Sequence, residues 1–200
     1  MRLLYATGNP AKLSAMQRRL EPLEIELYGL ENITGKDIPE VEEIGNSPLE
    51  NAGIKARAYY EALQVPLFSC DSGLYFDHVP EDIQPGIHVR NVNGRRLSDE
   101  EMITYYSGLA KRYGRLKARY RNAICLILDE NRCVESMAEN LSGHYFYIID
   151  KPHEKRVPGF PLDSLAVDIS SGKYYYDLQK QEEDQLAVDD GFCQFFSQYL

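Results

Sequence analysis

Two hundred residues suffice to bury a core as one domain, and 44% hydrophobic with 26% charged residues is ordinary for a globular protein. Thirty-one acidic against 22 basic side chains give a formal net charge of −9. That balance argues against a nucleic acid polymer or an anionic membrane as partner, since both call for a basic footprint.

In chain order, Met1-Arg2-Leu3-Leu4-Tyr5-Ala6 is too short an apolar stretch for a signal peptide, and no later run reaches the roughly 18 residues of a membrane span. Leu3 to Ala6 reads as a buried strand running into Thr7-Gly8-Asn9-Pro10. Leu13, Met16, Leu20 and Leu23 then recur at helical spacing, with Asn9 as N-cap and Pro10 in the first helical position, where its missing N–H costs nothing. Ser47-Pro48-Leu49-Glu50 is a second helix start with the spacing of a capping box, and that helix extends to about Leu63. Val65 to Phe68 reads as a short strand delivering Cys70-Asp71-Ser72-Gly73-Leu74 as a tight, polar, exposed ending. A further capping box at Ser98-Asp99-Glu100-Glu101 opens a helix to about Tyr113. Leu116 to Leu128 alternates as a strand does, Asp129-Glu130-Asn131 marks a turn, and residues 132–140 and 144–149 read as more strands. The last helix is expected from Asp190 to Tyr199. Nothing marks a domain boundary, so residues 1–200 are read as a single α/β domain with a long mixed sheet flanked by helices.

Several groups could carry chemistry. A glycine in a strand-to-helix turn lets backbone N–H groups approach an anion, the helix dipole favours negative charge there, and Lys12 lies one turn further in; a plain turn with a solvent-facing lysine is the alternative. Glu40, Glu42 and Glu43 precede the Ser47 helix and Asp71 follows a strand, which are oxygen ligands of the kind a hard cation takes together with substrate phosphates; an acidic loop can equally be solvated. Lys55 and Arg57 with Glu50 fit surface charge pairs on a helix, and Asn51 sits in its first turn. Arg115, Lys117, Arg119 and Arg121 share one face of a strand, either to attract phosphate or to guard an edge. The four cysteines (Cys70, Cys125, Cys133, Cys193) have no C-x-x-C spacing and read as free thiols of a reducing, cytoplasmic compartment. His88 has no partner at metal-binding spacing, and Cys70 no histidine near it in sequence.

Taken together, Ala6 to Leu13, Glu42-Glu43 with Gly45, Glu50-Asn51-Ala52 with Lys55-Ala56-Arg57, and Asp71 to Leu74 resemble the inosine triphosphate pyrophosphatase family. Pro85-Gly86-Ile87 continues the resemblance, and Pro158-Gly159-Phe160-Pro161-Leu162-Asp163 looks like a drifted form of the family's Gly-Gly-Phe-Gly-Tyr-Asp. The resemblance implies hydrolysis of ITP, dITP or XTP to the monophosphate and pyrophosphate, with Mg²⁺, in a homodimer whose protomers have two lobes and a cleft between them. It assigns Thr7, Gly8, Asn9 and Lys12 to the triphosphate, and Glu43 and Asp71 to the metal and the attacking water. Lys55 would neutralise phosphate charge, Phe160 would stack on the base and Asp163 would fix the nucleoside. Asn51, Ser72, Gly73 and Arg90 are also expected to bind substrate, and Asp189 or Asp190 to read an N–H or amino group of the base.

The chain departs from the family's pattern in three places. Cys70 stands where a second aspartate is usual, and thiolate is a poor Mg²⁺ ligand. Arg90 sits one position early. The stretch Leu186 to Gly191 has Asp189 and Asp190 where the family carries Ser-His-Arg, and ionised carboxylates accept but cannot donate hydrogen bonds to a 6-keto oxygen. The other readings are a nucleotide-binding protein that has lost turnover and a Maf-like pyrophosphatase of different base specificity; the Glu50 to Arg57 segment argues against the latter.

Overall fold

The computed structural model describes residues 1–35, 37–179 and 191–200. Among these, the strands are β1 (Arg2–Tyr5), β2 (Glu26–Gly29), β3 (Leu67–Phe76), β4 (Asn91–Val92), β5 (Arg95–Arg96), β6 (Leu116–Asp129), β7 (Arg132–Ser136), β8 (Phe146–Ile148) and β9 (Ala166–Asp168). The helices are α1 (Pro10–Leu20), α2 (Pro48–Leu63), α3 (Asp99–Tyr113) and α4 (Gly191–Tyr199). Seven strands form one mixed sheet in the order β2-β1-β3-β6-β8-β9, with β7 also paired to β6; β4 and β5 make a separate hairpin. The pairs β1–β2 and β1–β3 are parallel, whereas β6–β7, β6–β8 and β8–β9 are antiparallel. The chain divides into two compact units.

The first unit comprises residues 1–72, 121–142 and 191–200. β1, the start of β3 and residues 123–127 of β6 are buried on both faces, and the alternation of side chains sorts them into two cores. Leu3, Tyr5, Phe68, Ile124 and Leu126 face one way and pack with Leu13, Met16 and Leu20 of α1 and with Phe192 and Phe196 of α4. Leu4, Leu67, Cys125 and Ile127 face the other way and pack with Ala52, Ala56 and Leu63 of α2. The small residues of α2 let its backbone lie close to the sheet. That proximity puts the polar residues of the same helix within reach of strand atoms.

The second unit comprises the described residues of 73–120 and 143–179. Leu74, Phe76, Leu116, Ala118, Phe146, Ile148 and Ala166 form its sheet face, against Met102, Ile103, Tyr106 and Ala110 of α3. Tyr106 is wholly buried. Its ring meets Phe76 edge-on and its hydroxyl donates to Val89 O at 2.8 Å, so neither part of the side chain is left unsatisfied.

Helix starts follow the sequence closely. Asn9 Oδ1 accepts from the N–H groups of Ala11 and Lys12, and Ser98 with Glu101 forms a reciprocal capping box. At Ser47 the box is only half made: Ser47 Oγ accepts from Glu50 N, but the Glu50 carboxylate reaches past the cap to accept from Asn46 N at 2.8 Å. Strand bounds differ more. Cys70-Asp71-Ser72-Gly73 is not an exposed strand ending but the middle of a ten-residue strand, because the alternating apolar positions resume at Leu74 and Phe76 and carry the strand on. The expected strand over residues 132–140 stops at Ser136, and Glu139–Leu141 turns as a short 3-10 segment that buries Leu141. That over 144–149 contracts to Phe146–Ile148, and the short strands β2 and β9 had no distinctive run to mark them. Asp190, the expected start of the last helix, lies outside the described residues.

Candidate active site

The polar groups of the first unit converge on one ammonium. Asn51 and Lys55 are four residues apart on α2 and so share a face. Lys55 Nζ donates to Glu43 Oε1 at 2.6 Å, to Cys70 O at 3.1 Å and to Asp71 Oδ1 at 3.4 Å. An ammonium has three protons to give, and here three acceptors take them. The Lys55 and Asp71 side chains are only 13% and 11% exposed, whereas Glu43 is 48% exposed. Burial disfavours the charge on Lys55, but the Asp71 carboxylate and the Glu43 hydrogen bond outweigh that penalty and hold its pKa above the ordinary lysine value.

Asn51 locks this cluster from behind and is itself 2% exposed. Its Oδ1 accepts from Gly45 N at 2.8 Å and its Nδ2 donates to Asp71 Oδ2 at 3.1 Å. The amide thus ties the loop that carries Glu43 to the strand that carries Asp71. Gly45 has to be glycine for this approach, since a Cβ there would lie 2.7 Å from both Asn51 Oδ1 and Glu50 Cβ. Asn51 was expected among the substrate-binding residues; in this structure its amide links the loop to the strand, with one contact at each end inside the protein.

At the N-terminal turn, Thr7 Oγ1 accepts from Asn9 N at 3.2 Å, and Asn9 Oδ1 already takes the first free N–H groups of α1. An anion arriving there meets the Thr7 hydroxyl, the exposed Lys12 and open space over Gly8, where a Cβ would touch nothing within 4 Å. Position 70 is near both lysines, because Lys12 and Lys55 each act on the Cys70 thiol. Burial nevertheless pushes that thiol up to about 12, so it is protonated at neutral pH. Neighbouring residues of a strand point to opposite faces: Asp71 faces α2, and Cys70 packs with the α1 core beside Tyr5. The carboxylate that the sequence lacks at position 70 would therefore not stand next to that of Asp71. Ser72 Oγ donates to Asn122 Oδ1 at 2.8 Å, and Asn122 Nδ2 to Leu141 O at 2.8 Å, a network between residues far apart in the chain that no local motif marks.

The remaining expected residues belong to the second unit. Gly73 is in close contact with Gly86, whose carbonyl carbon and oxygen would lie 3.1 and 3.0 Å from a Cβ, and Leu74 N donates to Gly86 O. Arg90 is engaged within its own unit, donating to Leu97 O at 3.1 Å and pairing with Asp99 Oδ1 at 2.7 Å. Phe160 is half-buried, next to the turn that carries Asp163. The Asp163 carboxyl makes no hydrogen bond among the described residues, and burial raises its pKa to about 6. Of the basic row, Arg115 lies over Tyr147, and Lys117 and Arg119 lie over Tyr145; Lys117 also pairs with Asp77 and Arg119 donates to Gly143 O. These three are anchored within the second unit. A cavity of roughly 630 Å³ lined by Val92, Leu97, Thr104, Tyr105 and the Arg95–Glu101 ion pair contains none of the candidate residues. Asp189 and Asp190 lie outside the described residues.

In this mixed α/β protein two carboxylates, Glu43 and Asp71, are thus gathered on one largely buried lysine. Residues 3–187 match the Ham1 family, and the chain belongs to that family. It is 30% identical over 190 residues to a dITP/XTP pyrophosphatase of Treponema denticola, covering 94% of this chain and 92% of that protein. It is 27% identical over 192 residues to one of Thermoanaerobacter sp., covering 94% and 90%. Among solved structures, a HAM1 protein from Coxiella burnetii aligns over 99% of both chains with a TM-score of 0.75 at 22% identity, which places the fold.

Two predictions follow from the geometry. Asn51→Leu leaves Gly45 N and one Asp71 oxygen without their partner, and should lower unfolding free energy in urea by about 1–3 kcal/mol; an unchanged midpoint would contradict the bridging role. For Asp163, the folded pKa near 6 exceeds the unfolded value, so the folded state binds more protons between about pH 4 and 6. Stability contributed at low pH is lost as pH rises through that window. Melting temperatures recorded across it should show this decline in wild type and a flatter profile in Asp163→Asn.

Proposed function

We propose that this protein hydrolyses a nucleoside triphosphate with a deaminated purine base, of the ITP, dITP or XTP kind, to the monophosphate and pyrophosphate. The observation that carries the reading is the convergence of Glu43 and Asp71 on Lys55, supported by the names of the relatives. All 200 residues are taken as one catalytic domain, working in the cytoplasm as a homodimer; family resemblance supports the dimer.

Glu43 and Asp71 are hard oxygen donors already arranged around a positive charge, and they fit Mg²⁺. When bound, Mg²⁺ neutralises phosphoryl oxygens and stabilises the pyrophosphate leaving group. Thr7, Asn9 and Lys12 at the start of α1 hold the triphosphate, with Gly8 leaving room for it and Ser72 at the edge of the same set. Lys55, kept protonated by its neighbours, balances charge that builds up on the phosphates. Water attacks the α-phosphorus, the bond to the α,β-bridging oxygen breaks, and pyrophosphate departs with that oxygen. A carboxylate of the Glu43–Asp71 pair orients the water and accepts its proton. In the second unit, Phe160 offers a ring to the base and Asp163 a carboxyl to the nucleoside. Asp189 or Asp190 reads an N–H or amino group of the base, where Ser-His-Arg would donate to a keto oxygen.

The test is pyrophosphate release from ITP, dITP, XTP, GTP and ATP, with and without Mg²⁺. Turnover should need the cation, favour the deaminated purines, and fall about 10²–10³-fold in kcat/KM for Asp71→Asn, on the scale of losing a positioned acid–base group. Asp189→Asn or Asp190→Asn should alter the ranking of bases. Folded protein without turnover on any of them would instead mark a nucleotide-binding protein.

A further inference from the structure

The β6–β7 hairpin of the first unit brings together three ligand-bearing side chains that the proposed hydrolysis does not use. Cys125 lies directly opposite Glu135 in the register, and Cys133 opposite Ile127, so all three alternate onto one face. The Cys125 and Cys133 sulfurs are 3.8 Å apart, and a carboxylate oxygen of Glu135 lies within 4.8 Å of both. We propose that Cys125, Cys133 and Glu135 form a binding site for a thiophilic divalent cation of the zinc class.

The spacing suits that ion. Two sulfurs at about 2.3 Å from one tetrahedral zinc lie about 3.8 Å from each other. A disulfide would need the sulfurs to close to about 2.05 Å, across a diagonal pair whose Cα atoms usually lie about 7–8 Å apart, beyond the reach of a relaxed bridge. Two thiolates with a carboxylate oxygen favour Zn²⁺ over Cu⁺, which prefers an all-sulfur set, and over Mg²⁺, for which thiolate is a poor ligand. Cys133 is exposed and Cys125 buried, so the cation enters from solvent and the fourth position is left for water.

The surroundings complete the site. Arg57 of α2 donates to Glu135 Oε1 at 2.6 Å. Ligating carboxylates are commonly oriented by such an outer hydrogen bond. Gly53 leaves space for this contact, since a Cβ there would lie 2.7 Å from Glu135 Oε1. Two thiolates, one carboxylate, one divalent cation and the Arg57 guanidinium sum to zero net charge. Binding releases the two thiol protons, so affinity rises with pH.

Co²⁺, a coloured stand-in for Zn²⁺, would be titrated into the reduced full-length protein. Cation held only by Glu43 and Asp71 gives no thiolate-to-cobalt charge transfer, so this band separates the two sites and is independent of catalysis. The expected result is one such band saturating at one equivalent per chain and displaced by Zn²⁺. Cys133→Ser should abolish it and Glu135→Gln should weaken binding about tenfold or more, while Cys193→Ser leaves it intact. Cys133 is exposed, so its variant should fold; a matching circular dichroism spectrum confirms this. No band in wild type, or an undiminished band in Cys133→Ser, would overturn the proposal.

Discussion

A nearly buried ammonium group cannot sit against a strand unless its charge and all its protons are answered, and much of the first unit is arranged to answer those of Lys55. The cap at Ser47 starts α2 where Asn51 and Lys55 face the sheet. Ala52 and Ala56, small and fully buried, allow the helix to approach. β3 supplies a backbone carbonyl at Cys70 and a carboxylate at Asp71, and the loop before α2 supplies Glu43. Removing one member of such a buried set strands the others, which typically costs more than the intact pair contributes.

Cys70 meets the same constraint through its backbone. Lys55 uses only the main-chain oxygen of that residue, which any amino acid provides. The side chain belongs to the opposite face, where a small, apolar, protonated thiol packs with the α1 core. What is demanded of position 70 by Lys55 is a strand conformation, and that demand is met. Asn51 is held to a stricter standard, since its side chain must donate to Asp71 and accept from Gly45 N at once, which an amide does with its two ends.

Local signals in the sequence carried most of the helices. Asn9, Ser47 and Ser98 announce helix starts because capping is a contact within four residues. The two-faced burial of Leu3, Leu4 and Tyr5 is similarly visible in an unbroken apolar run. Asp71-Ser72-Gly73 has the composition of a turn, while its strand is held by long-range pairing, with β1 at Leu67 and Phe68 and with β6 on the other side. The Glu50 carboxylate went to Asn46 rather than Ser47 for a geometric reason that spacing cannot express. Candidate site residues of the first unit were readable as motifs, but the three contacts of Lys55 were not. Nor was the Cys125–Cys133–Glu135 cluster, which exists only once the hairpin register of β6 and β7 is fixed. Arg90 was expected among the substrate-binding residues from its place after Pro85-Gly86, and its contacts with Asp99 and Leu97 O could not be read from that placement.

On the proposed mechanism, the carboxylates gathered by Lys55 direct water to the α-phosphorus. Hydrolysis of dITP with Mg²⁺ in ¹⁸O-labelled water, followed by mass spectrometry of both products, tests it most directly. The label should appear in the monophosphate and not in pyrophosphate. Label in pyrophosphate, or release of orthophosphate in its place, would mean that water attacks elsewhere and would contradict the account.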